Sequence, residues 1–96
     1  MQFIVLNERN VADFAPEDFT ADKVAPEVQR VRELYGQGFV RQIWHRGDVA
    51  GGCLLVEADN ESAARELLNT LPLVAAGMVI VATVVPLKPF AGFGPQ

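Results

Sequence analysis

The chain has 96 residues, half of them apolar, a net charge of −4, and basic residues that form no run. That length supports one domain with a modest core, and an acidic balance without basic clusters excludes nucleic acid or an anionic membrane as the expected partner. The single cysteine, Cys53, excludes an internal disulfide and fits a reducing compartment, so the protein is expected to be cytoplasmic.

The chain opens directly as a strand with no leader expected before it. Its longest apolar run is too short to cross a bilayer as a helix. Residues 2–8 are apolar and β-branched and predict strand one. Residues 10–19, with Pro16 and several acids, read as a loop in which Phe14 and Phe19 are placed to plug the end of the core. Val24, Val28, Val31 and Tyr35 recur at helical spacing with Leu34 beside them. Proline is tolerated only near a helix start, so the firm part of helix one is 26–35, with Thr20 or Asp22 as cap and Gly36 and Gly38 as stop signals. Residues 39–46 and 49–58 predict strands two and three. Gly47-Asp48 between them suits a two-residue hairpin turn with glycine first. Asp59 or Asn60 caps a second helix, Ala63, Ala64, Leu67, Leu68 and Leu71 form its buried stripe, and Pro72 ends it. Residues 73–77 connect to strand four, 78–87. Residues 88–96 are an extended tail carrying Phe90 and Phe93 among prolines and glycines.

The order βαββαβ predicts an α+β fold over 1–96 as a single domain: ferredoxin-like, with a four-stranded antiparallel sheet and both helices on one face. Strand four adds a further expectation. Met78 to Val85 is apolar on both alternating faces, which predicts cover on both sides. Two helices cover one side. The simplest cover for the other is a second copy of the chain, giving a homodimeric α+β barrel, alone or as a multiple of dimers.

The hairpin predicts a register. With Gly47-Asp48 as the loop, Arg46 faces Val49 and Trp44 lies over Gly51. Arg41, Ile43 and His45 then share a face with Ala50, Gly52 and Leu54. Small residues at 50–52 leave room above the sheet, though glycine also serves a bulge or the bulk of Trp44. His45 is the only histidine in the chain and the side chain that titrates nearest neutrality. A base beside the fixed cation Arg41 would take a proton α to a carbonyl and steady the enolate; a half-solvated strand-end histidine is the plainer alternative. His45 and Arg41 are therefore the candidate catalytic residues. Trp44, Gly52 and Glu57 are the candidate substrate-binding residues, each also open to a structural account as interface anchor, bulge glycine and solvated strand end. No metal-ligand spacing, phosphate loop or nucleophile elbow is present, and no cofactor is expected.

From about residue 34 to residue 90 the chain resembles the muconolactone isomerase family. The matching residues are the helix exit at Gly38, the strand Arg41-Gln42-Ile43-Trp44, the turn glycine Gly47, Leu67-Leu68 leading to Leu71-Pro72-Leu73, and Met78 running into Val85-Pro86-Leu87 and Pro89. The resemblance implies small ferredoxin-like subunits whose sheets pair into α+β barrels, and a double-bond shift in an unsaturated lactone during aromatic catabolism without metal or organic cofactor. It also implies that Arg41 and Trp44 stand at family positions. His45 stands where the family pattern leads us to expect arginine, and Gln42 where it leads us to expect histidine, as in a divergent member.

The expected function is thus a cofactor-free isomerase of a small, acidic, carbonyl-containing ring compound. Two alternatives share the barrel: a cofactor-free monooxygenase or cyclase using an apolar pocket around Trp44, and a non-catalytic dimeric binding module closed by Phe90 and Phe93.

Overall fold

The computed structural model describes residues 1–92. Strand β1 (Gln2–Arg9) leads through a 3-10 turn at Pro16–Asp18 to helix α1 (Ala21–Gly36). Strands β2 (Val40–His45) and β3 (Gly52–Glu57) follow, then helix α2 (Glu61–Leu68), a short helix α3 (Pro72–Ala75) and strand β4 (Val79–Pro86). The sheet order is β2-β3-β1-β4, antiparallel throughout. This is the ferredoxin-like arrangement expected from the element order.

The core lies between one face of the sheet and the helices. Phe3 and Val5 of β1 stand beside Val56 and Leu54 of β3, all buried, and meet Leu34 of α1 and Ala64 and Leu68 of α2. Burial of such side chains contributes roughly 1.5–3 kcal/mol each. Helix α1 starts five residues before Pro26 and contains it, contrary to the expected 26–35 limit. The ring sits in the second turn on an exposed face, so it removes one early hydrogen bond without entering the packed part of the helix. Asn60 caps α2 by accepting from the Ala63 amide at 2.8 Å, while Pro72 starts α3 as well as marking the end of α2. Gly38 and Gly77 have φ of 85° and 75°, the left-handed conformation that ends a helix and costs glycine least.

Two corrections concern the register. The hairpin is longer than Gly47-Asp48: the Arg46 amide donates to the Gly51 carbonyl at 2.9 Å, and His45 pairs with Gly52. Residues 47–50 form the loop. Asp48 holds it by accepting from Arg46 Nε at 2.9 Å, from Arg46 Nη2 at 2.7 Å and from the Val49 amide at 2.9 Å. The far side is drawn to β1, where the Arg9 amide donates to the Ala50 carbonyl at 2.9 Å. Trp44 consequently faces Cys53 rather than Gly51. The slip is two residues, the period of a strand, so Ile43 and His45 still share a face with Leu54 and Gly52. The second correction is a bulge between Val40 and Gln42. Val40 pairs with Val56 and Gln42 with Leu55, which leaves Arg41 as the extra residue, outside the alternation that carries Ile43 and His45.

Among the described residues no helix covers the other sheet face. It presents Ile4 and Leu6 of β1, Cys53 and Leu55 of β3, Trp44 of β2, and Ile80 and Val85 of β4, the last three being 48%, 45% and 42% exposed. Among the described residues no helix is long and apolar enough to cross a membrane. Of the tail, Phe90 is exposed, and Phe93 lies outside the described residues.

Candidate functional site

Of the apolar stripe of α1, Val24 and Val28 lie outside the core and Val31 packs against its edge. Val24, Val28 and Val31 form one wall of a cavity of about 370 Å³ between the helix and the sheet. Phe19, Leu73, Ile43 and Val79 complete its apolar lining. That volume lies in the range of small-ligand sites, and such sites join apolar walls to a few polar groups. Here the polar groups are Asn7 and Arg9 of β1, Glu27 and Arg32 of α1, and His45 of β2.

The sheet sets three of these positions in a row. His45 pairs with Gly52, and Gly52 stands one step beyond the Leu6–Cys53 pair, opposite Asn7. All three are on the helix-facing side. Gly52 has no side chain, and the Asn7 carboxamide leans over it, accepting from the Gly52 amide through Oδ1 at 2.6 Å. A Cβ at Gly52 would come to 3.2 Å from that oxygen. Gly51 is tighter: a Cβ there would lie 2.1 Å from the Asn7 carbonyl oxygen and 2.8 Å from Glu8 Cα. The two glycines therefore serve the close approach of β1 to the hairpin. Arg46 reinforces it by donating from Nη1 to the Asn7 carbonyl at 3.3 Å.

Glu27 is the half-buried carboxylate of the site. Its Oε1 accepts from the Leu73 amide at 3.0 Å, which ties α1 to α3. Burial pushes its carboxyl above the usual range, and the Leu73 hydrogen bond offsets only part of that. Arg9 lies with its guanidinium 4.3 Å from the centroid of Phe19, stacked rather than ion-paired. Arg32 makes no ion pair among the described residues. The cavity thus combines a proton-prone carboxyl, an imidazole, an amide and two cations.

Of the residues expected from the sequence, His45, Trp44 and Gly52 border this cavity. Trp44 alternates with Ile43 and His45, so it belongs to the opposite sheet face; its backbone carbonyl lies 3.6 Å from a Cβ built at Gly52. Arg41 and Glu57 do not border it. Arg41 is exposed on the bulge. Glu57 is five residues along β3 from Gly52, on the order of 17 Å away, and pairs with the Met1 ammonium at 2.5 Å. Glu27, Arg9, Arg32 and Asn7 were not among the expected residues. The signal for Glu27 is its place on the same helix face as Val24, Val28 and Val31, which makes it a polar member of an otherwise apolar stripe. Among the described residues no three His, Cys, Asp or Glu side chains are grouped to hold a metal ion.

The sequence pattern of muconolactone delta-isomerase matches residues 1–91. The chain belongs to the muconolactone delta-isomerase family. Among solved structures it resembles 5-chloro-2-hydroxyhydroquinone dehydrochlorinase from Burkholderia phenoliruptrix AC1100, in complex with 2,5-dihydroxybenzoquinone. The TM-score is 0.69 and the identity 16%, over 92% of this chain and 94% of the other. That likeness shows the fold. No curated protein sequence matches. The family match extends well upstream of residue 34, where the motif resemblance began, and takes in β1 and the first half of α1. These segments supply Asn7, Arg9 and Glu27 to the cavity.

Proposed function

We propose that the protein is a cofactor-free isomerase that shifts a double bond in a small, unsaturated, carbonyl-containing ring acid of the lactone type. The observation that carries this reading is Glu27. It is a half-buried carboxylate whose charged form is disfavoured by desolvation, and it borders a small cavity together with His45 and two guanidinium groups. Family membership supports the same reaction class. So does the ligand of the structural neighbour, a planar oxygenated ring of a size such a cavity admits.

In this mechanism Arg9 and Arg32 hold the substrate carboxylate. One of Glu27 and His45 removes the proton α to the carbonyl. The C–H electron pair becomes a C=C bond and the carbonyl π pair moves onto oxygen, giving a dienolate. A proton then returns at the remote carbon, the carbonyl re-forms, and the base is regenerated. A raised carboxyl pKa suits this cycle, since general acid–base groups work best when poised near the operating pH. Arg41 sits on the bulge, and a role for it at the substrate would be played at the rim.

We also propose that the working form is a homodimer. The uncovered sheet face is apolar and spans all four strands, and a second copy offers a matching face through two-fold symmetry. The cavity beside His45 favours a small-molecule enzyme over an interaction module with a filled interior.

The test is proton exchange. The protein in D2O with unsaturated γ-lactone acids is expected to place deuterium at the α or γ carbon with no oxygen uptake. Glu27→Gln is expected to slow exchange by roughly 10²–10⁴-fold, the usual worth of a general acid–base group, and His45→Ala to slow it as well. Exchange at the wild-type rate in both variants would refute the assignment.

A further inference from the structure

Asn7 is the one buried polar side chain among the described residues, 9% exposed, and it borders the cavity. Its orientation is fixed from three directions. The Gly52 N–H can only donate, so the atom it meets at 2.6 Å is the carboxamide oxygen. The Asn7 carbonyl accepts from Arg46 Nη1, and Arg46 is itself held by Asp48. The backbone pairs with Val81 on β4. With Oδ1 taken, Nδ2 is the free end of the carboxamide, 3.5 Å from a Cβ built at Gly52. It donates to no group among the described residues, yet no buried side-chain nitrogen or oxygen lacks a partner. Nδ2 therefore opens onto free space, and the space that Asn7 borders is the cavity.

A nine-tenths-buried amide donor, locked in one orientation and aimed into a mostly apolar cavity, is built to meet an acceptor. Cationic groups already suit a carboxylate. A neutral N–H donor suits a carbonyl oxygen, and suits it more as that oxygen gains charge. Gly52 N–H donation to Oδ1 polarises the amide and strengthens Nδ2–H as a donor. Across the row, His45 and Asn7 stand two strand spacings apart, about 10 Å, with side-chain-free Gly52 between them. The Asn7 carboxamide covers Gly52, and a planar ring can lie beside it with its carbonyl at Nδ2 and its edge towards the titratable groups.

We propose that Asn7 Nδ2 is the oxygen-binding donor of the site, holding the ligand's carbonyl in the ground state and its enolate oxygen during proton transfer. Gly52 is the positioning residue that makes this possible. The assignment rests on reading the cavity as the site of the proposed isomerase, and it names the atom that recognises the substrate carbonyl. Preorganised donors of this kind act where charge develops and need no reorganisation at the moment of reaction.

The experiment is an NMR titration of the full-length 15N-labelled protein with 2,5-dihydroxybenzoquinone, following the Asn7 side-chain NH2 pair, which is assigned by its loss in Asn7→Asp. The expected result is a downfield shift of that pair on binding and a loss of affinity of roughly 10–100-fold in Asn7→Asp and in uncharged Asn7→Ser. With a lactone that undergoes exchange, Asn7→Asp is expected to reduce kcat by about 10²–10³-fold while KM changes less. A titration that moves the His45 ring and the cavity amides but leaves the Asn7 NH2 pair in place overturns the donor assignment and leaves the small-molecule site standing. Failure of the quinone to bind also overturns it. A shifted Asn7 pair with no exchange into any lactone retains the donor and removes the isomerase. If neither variant folds, the Asn7 pair is assigned in the wild type by through-bond correlation and its shift decides.

Discussion

Glu27 shows how a residue without distinction in the sequence acquires an unusual chemical setting. The sequence sets it among many acids, and no local pattern raises its pKa. Desolvation does, once α1 lies against the sheet and Leu73 closes over it. The sign of the pH effect follows. A carboxyl whose folded-state pKa is raised stabilises the fold below its unfolded value, and that contribution is lost as pH rises through the raised value. Glu27→Gln retains an oxygen for the Leu73 amide and carries no charge. Its melting temperature is expected to exceed that of the wild type at pH 7–8, with the gap closing towards pH 4; differential scanning calorimetry across that range checks it. Equal melting temperatures at every pH would show that Glu27 is not desolvated. His45 stands out in the sequence as the sole histidine, whereas Asn7 is one polar residue in an otherwise strong strand. Its role depends on a glycine 45 positions away.

Elements were read well where periodicity decides them and less well where loops do. Gly47-Asp48 suits a two-residue turn, but Asp48 reaches back to Arg46 and lengthens the loop. The face assignment of His45 survived because the slip equals the strand period; that of Arg41 did not, because a bulge shifts parity by one. The Arg46–Asp48 pair holds the Asp48 carboxyl at about 2. Its contribution to loop order is present above the ordinary aspartate range and is lost as pH falls towards that value.

The glycines of the hairpin allow a sharper test. Gly51→Ala places a Cβ against the β1 backbone and is expected to cost about 1–3 kcal/mol, the usual cost of overpacking. Gly47→Ala meets nothing within 4 Å and is expected to stay within about 0.5 kcal/mol of wild type. Chemical denaturation of the two variants measures both. Comparable stability of Gly51→Ala and wild type would mean that β1 does not approach the hairpin so closely.

For the whole molecule, the uncovered sheet face is the feature that one chain leaves unresolved. Ile80 stands on it near Glu8, about half exposed, so a lysine there has little to disturb within a single chain. Ile80→Lys is expected to leave the far-ultraviolet spectrum unchanged and to halve the particle mass in sedimentation or light scattering. A wild-type particle of 10.5 kDa at dilute concentration would refute the dimer.

Short-range periodicity in the sequence carries the order of the four strands and two main helices, the core stripe of α2, the helix stops, and hence the ferredoxin-like layering. The sequence also singled out His45 through rarity and the family through motifs spread over the second half of the chain. The grouping of the proposed site's residues comes from long-range packing. Glu27, Asn7 and Arg9 border one cavity with His45 because α1 and β1 converge on the turn end of the hairpin. A raised carboxyl pKa and an aimed amide are properties of the space between elements, and no single segment of the chain contains that space.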